Sequence, residues 1–137
     1  MPAQRDPRTQ AALESLLRAH GLSSESRLYR CTRREFLRPG EAPGTLSLSA
    51  SVAAPEAVVD VYRNGHTLVA EQLGPGLAFA ELRDNQWRAP DRALVEVRVE
   101  DVLAQGGLLY PVESVITEKV WFATLPRGSV AAREVRA

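Results

Sequence analysis

Apolar residues near the start recur on a helical period. Ala11, Ala12, Leu13, Leu16, Leu17 and Ala19 share one side of a 3.6-residue turn, and Gly21 supplies a left-handed stop. The spacing predicts a helix over residues 9–21, following a charged, proline-bearing terminus at residues 1–8. Beyond the polar Ser23-Ser-Glu-Ser26, the period changes from 3.6 to two. Arg27-Leu-Tyr-Arg-Cys-Thr32 and Thr45-Leu-Ser-Leu-Ser-Ala50 alternate as strands, with one helical turn predicted between them over 33–38. Pro55 suits the first turn of a second helix, its buried stripe Ala57, Val58, Val61 and Tyr62 and its end Asn64-Gly65.

The second half reads mainly as strands. Gly74-Pro-Gly76 breaks the chain ahead of Leu77-Ala-Phe-Ala80, and Arg83 to Asp91 reads as a surface excursion. Ala93-Leu-Val-Glu-Val-Arg-Val99 is the strongest strand pattern, followed by a single turn that ends at Gly106-Gly107. Leu108-Leu-Tyr110 and Ser114-Val-Ile116 read as short strands separated by Pro111, and Val120 to Leu125 as the last strand. The tail after Pro126-Arg-Gly128 carries little pattern. Helices early and strands late imply one α+β domain over residues 1–137, with a split mixed or antiparallel sheet and two main helices.

Composition narrows the classes. Seventeen basic residues balance seventeen acidic ones, which removes any global field toward nucleic acid or membrane. Lys119 is the sole lysine, and a GC-rich genome gives such an arginine bias without selection at any site. Cys31 is the only cysteine, so no internal disulfide forms. No stretch approaches the roughly 20 apolar residues of a membrane span. The first residues lack the apolar core of a secretory leader, and the expectation is a cytoplasmic protein with no membrane partner.

Candidate chemistry is sparse. His20 and His66 have no partner at metal-ligand spacing, so no metal site is expected. Gly74-Pro-Gly76 lacks both the lysine of a P-loop and the third glycine of a dinucleotide fingerprint. The cluster Arg30, Arg33, Arg34 and Arg38 allows a nucleic-acid contact.

Several segments resemble a known family. Leu73-Gly-Pro-Gly-Leu-Ala-Phe-Ala-Glu81 is similar to a segment of poly-ADP-ribose-polymerase-like enzymes. Leu109-Tyr-Pro-Val-Glu-Ser-Val-Ile-Thr-Glu118 resembles their strand that begins with a catalytic glutamate. Leu28 to Thr32 and Thr45 to Ser51 resemble the arginine and serine strands of the Arg-Ser-Glu branch of the ADP-ribosyltransferase superfamily. The run from Asp101 to Leu125 is similar to the end of the RNA 2′-phosphotransferases, relatives of the same fold. The resemblance covers residues 27–125 and implies an ADP-ribosyltransferase-like fold acting on NAD and an unknown acceptor in a bacterial cytoplasm.

In that frame Arg30 would hold the pyrophosphate, and Ser47 or Ser49 would fix the ribose side. Phe79 or Tyr110 would stack on nicotinamide, and Glu113 would stabilise oxocarbenium character at the anomeric carbon. Pro111 stands where a Glu-x-Glu pair has its earlier member, which points to an acceptor other than arginine or asparagine, or to no transfer. The rival expectation is a non-catalytic binding module on a degenerate version of the fold. From the residues alone, Arg30 pairs with Glu96 or Glu100 across a sheet, and Cys31 is a buried apolar residue.

Overall fold

A computed structural model describes residues 7–53, 58, 62, 75–81, 91–112 and 120–135. Helix α1 (Pro7–Ala19) begins at a proline, whose missing N–H is not needed in a first turn. It ends at Gly21, φ 71°, where Leu22 N donates to Leu17 O at 2.8 Å and closes the last turn. Leu13 and Leu17 are buried, so the apolar stripe does face the core.

Eight strands follow: β1 (Arg27–Arg33), β2 (Leu37–Pro39), β3 (Leu46–Ser49), β4 (Gly76–Ala80), β5 (Arg92–Arg98), β6 (Leu109–Val112), β7 (Val120–Thr124) and β8 (Ser129–Glu134). A short helix, α2 (Val99–Ala104), follows β5 directly, and a 3-10 turn, Arg34–Phe36, joins β1 to β2. The sheet order is β2-β3-β8-β5-β1-β4-β7-β6, and every described pairing is antiparallel. The domain is therefore α+β, and its described sheet is antiparallel rather than mixed. Val58 and Tyr62 are helical and fully buried, with the Tyr62 hydroxyl donating to Leu109 O on β6. Most of the second helix expected over 55–65 lies outside the described residues.

Three details depart from the sequence reading. The patternless tail forms β8, which is split between two partners. Its first four residues pair with β3, and Arg133 and Glu134 pair with β5. Leu37 and Arg38, expected at the end of a helical turn, instead form a strand with Pro39 against β3. Pro111 lies inside β6 opposite Trp121, tolerated because β6 is an edge strand whose other side needs no donor.

The core is built on both faces of the central strands. On β7, Trp121, Phe122, Ala123 and Thr124 are all buried, so that strand has no solvent face. Trp121 Nε1 donates to Glu81 Oε1 at 2.7 Å, and the His20 ring meets the indole edge-on with centroids 5.4 Å apart.

Candidate functional site

The sheet opens between β1 and β4. On its other flank β1 pairs with β5 at all seven residues, but toward β4 the register holds a single pair, Tyr29 with Ala80. At the far end of β4, Gly76 exchanges both backbone bonds with Val52, at 3.1 and 2.7 Å. The chain after β3 thus takes the place that β1 has left. Alternation along a strand then turns the peptide groups of Ala78, two residues on, into the opening.

Arg30 fills that opening. It shares a face with Leu28 and Thr32 and lies opposite Val95, all three of which are buried. Its guanidinium Nη1 donates to Ala78 O at 3.0 Å, supplying the main-chain carbonyl with the donor that β1 does not bring. Its Nε is buried and has no hydrogen-bond partner among the described residues. Burial depresses the pKa of the guanidinium, and the charge of Arg92 depresses it further.

The carboxylates weighed as partners for Arg30 go elsewhere. Glu96 lies opposite Tyr29, on the other face, and pairs with Arg27 at 3.0 Å; Glu100 pairs with Arg98 at 3.1 Å. Cys31 is half-buried and lies opposite Leu94.

The remaining candidates are dispersed. Phe79 shares the face of Arg30 but is only 1% exposed, packed opposite Trp121, so its ring is spent on the core. Tyr110 is half-buried and lies opposite Phe122, which is opposite Ala78; that row occupies the other face of the sheet. Ser47 and Ser49 sit on β3 opposite Ala131 and Ser129. Ser47 borders a separate groove of about 440 Å³ with Asp101, Gln105, Arg127 and Ser129, and Arg30 does not line it. Glu113 and His66 lie outside the described residues.

Within the groove, buried Gln105 is committed on both sides. Its Nε2 donates to Ser129 O at 2.8 Å, and its Oε1 accepts from Arg127 N at 3.0 Å. It fastens the end of α2 to the start of β8. No alternation rule marks such a residue in advance. The one sequence signal is an amide side chain next to Gly106-Gly107, where the backbone turns.

Among the described residues no group of three or more His, Cys, Asp or Glu is placed to hold a metal ion. No described helix is long and apolar enough to cross a membrane. The arginine cluster is also partly spent: Arg34 forks onto Glu134 at 3.3 and 3.5 Å, and Arg38 donates to the carbonyls of Glu35 and Leu37.

No protein-family model matches the chain, and no curated protein does. Among solved structures it is similar to AvrPphF ORF2, a type III effector from P. syringae. The TM-score is 0.55 at 22% identity, over 96% of this chain and 90% of that one. At that identity the likeness speaks for the fold, an α+β arrangement shared along nearly the whole chain.

Proposed function

We propose that this chain consumes NAD, as an ADP-ribosyltransferase or NAD glycohydrolase on an ADP-ribosyltransferase-like fold in a bacterial cytoplasm. The observation that carries the reading is Arg30 at the opening between β1 and β4, whose buried Nε has no hydrogen-bond partner among the described residues. A pyrophosphate oxygen would accept from that edge while Ala78 O holds the opposite one. Neither ring that the resemblance offers for nicotinamide stands beside Arg30, since Phe79 is enclosed and Tyr110 lies on the other face of the sheet. The resemblance assigns Glu113 to the ribose hydroxyl and to the developing positive charge at the anomeric carbon.

In the reaction, the bond from the anomeric carbon to the pyridine nitrogen breaks and nicotinamide leaves with the bonding pair. Water or an acceptor oxygen or nitrogen then bonds to that carbon and loses a proton. Incubation with labelled NAD tests this directly. Nicotinamide release is expected from the wild type, and Glu113→Gln is expected to lower it by about 100-fold or more with the melting temperature unchanged. Release at the wild-type rate by that variant removes the mechanism.

A second reading, a binding module without chemistry, has its own support. Ser47 lies on a groove that Arg30 does not line, so the serine strand and the arginine do not share that cavity. This reading predicts that NAD binds and that no nicotinamide is released.

A further inference from the structure

The groove that Ser47 borders continues into a second cavity, of about 200 Å³, and Thr45, Asp101 and Ala131 line both. The joined groove follows β8, from Arg127 and Ser129 at one end to Arg133 at the other. At about 3.4 Å per residue, Ser129 to Arg133 alone spans about 14 Å, the length of four or five residues of extended chain.

Its floor is made of small residues. Ser47 lies opposite Ala131 and Ser49 opposite Ser129, so the four share one face of the β3–β8 ladder. Ala131 is exposed although it sits in mid-strand. The hydroxyls of Ser47 and Ser129 have no hydrogen-bond partner among the described residues. The sides are held in place. Gly40 N donates to Thr45 O at 2.8 Å and the Thr45 hydroxyl to Ala42 O at 2.6 Å, which closes the turn that carries Glu41. Helix α2 is tied at its start, where Val99 N and Glu100 N each donate at 3.0 Å to the carbonyls of Ser26 and Ser24, and at its end by Gln105. A groove formed in advance loses little free energy to ordering when it is filled.

The charge along the groove alternates. Asp101 stands beside Ala131 at the middle, where the two cavities join, and an arginine stands at each end. Glu96 and Arg98 also border the smaller cavity, but they are paired with Arg27 and Glu100. Asp101, Arg127 and Arg133 have no ion pair among the described residues. Burial and, after it, Glu100 hold the Asp101 carboxyl above the ordinary carboxylate range, with Arg98 partly opposing, so a further cation beside it would favour the ionised form.

We propose that this groove binds an extended peptide segment, with a basic side chain beside Asp101 over Ala131 and an acidic side chain two residues away on each side, toward Arg127 and Arg133. Side chains two apart on an extended chain point the same way about 6.8 Å apart, which is also the spacing of Ala131 from Ser129 and from Arg133. The serine hydroxyls, each a donor and an acceptor, would meet main-chain groups of the peptide. Carboxylates at Glu41 and Asp101 disfavour a nucleic-acid strand in the same place. Arg30 does not line the groove, so the inference stands apart from the NAD reading.

The test is amide NMR of the full chain titrated with the peptide acetyl-Glu-Ala-Arg-Ala-Glu-amide at constant ionic strength. Saturable shifts are expected at Ser47, Ser129 and Ala131. Asp101→Asn should weaken binding about tenfold, the worth of one charge-assisted contact, without lowering the melting temperature, so that lost binding is told from lost folding. Glu35→Gln, outside the groove, should leave binding unchanged. The site is overturned if no saturable shift appears, if the two variants lose equally, or if the charge-reversed acetyl-Arg-Ala-Glu-Ala-Arg-amide binds as well. Free arginine that produces the same shifts at the same concentrations would make the groove a pocket for a small cation and overturn the peptide. Nicotinamide release, present or absent, leaves each of these outcomes unchanged.

Discussion

Toward β7, strand β4 is paired at every residue, Gly76 through Ala80 against Thr124 through Val120. Toward β1 it keeps one pair, and the neighbouring role passes at Gly76 to Val52. The zipped edge is made by small and apolar residues that let two backbones approach. A Cβ on Gly76 would lie 2.1 Å from Ala123 O and 2.8 Å from the Phe122 ring. On the open edge a charged side chain substitutes for a strand, with Arg30 supplying the donor that Ala78 O would otherwise lack. One edge is therefore stabilised by contact and the other holds a desolvated cation.

The largest effect is expected at the zipped edge. Gly76→Ala drives a methyl into the backbone of β7, which cannot give way as a side-chain end can. The expected loss is about 3 kcal/mol, read from urea unfolding. A loss below 1 kcal/mol would mean that the β4–β7 contact is looser than the geometry implies.

At the open edge the expected stability effect is smaller and its sign is divided. Arg30→Met removes a charge that burial disfavours and also strips Ala78 O of its donor. The two effects offset to within about 1 kcal/mol, while anion binding at the opening is lost. If the variant is destabilised by several kcal/mol instead, the guanidinium is a structural brace and the open edge loses its functional reading.

The smallest effect concerns a charge outside both edges, and it calibrates them. Burial and, after it, Glu100 raise the pKa of Asp101 above the ordinary carboxylate value, with Arg98 partly opposing. A raised folded-state value means the group favours folding below its unfolded pKa, and that this contribution is lost as pH climbs through the folded value. Asp101→Asn is thus expected to raise the melting temperature by about 1–2 °C at pH 7, allowing for solvent screening. It should change nothing near pH 3, where the carboxyl is protonated in both states. A gain that persists at pH 3 would point to packing rather than charge.

Much of the fold is legible along the chain because its signals are local. The 3.6-residue stripe with Gly21 marks α1, and the alternation through Val95 and Val97 marks β5, whose inward residues are buried as the pattern requires. Beta8 shows the opposite case. Ser-Val-Ala-Ala-Arg-Glu has only Val130 and Ala132 to turn inward, and it becomes a strand because β3 and β5 offer it free edges. The site divides in the same way. That Arg30 faces away from Tyr29 and Cys31 follows from period-two alternation. Its separation from Glu96 depends on the register that sets Glu96 opposite Tyr29.

An α+β domain, its first helix, its strongest strand and the facing of Arg30 all follow from the order of residues, since period and turn residues are properties of neighbouring positions. Tertiary structure alone decided which strand edges close and which stay open. Pairing joins residues some fifty positions apart, as Tyr29 with Ala80 and Arg30 with Ala78. It also decided that Phe79 is enclosed, that Ser47 lines a different groove and that the arginines of β1 and β5 meet end to end. The burial and charge balance of a side chain depend on what the fold sets against it, and no local period carries that information.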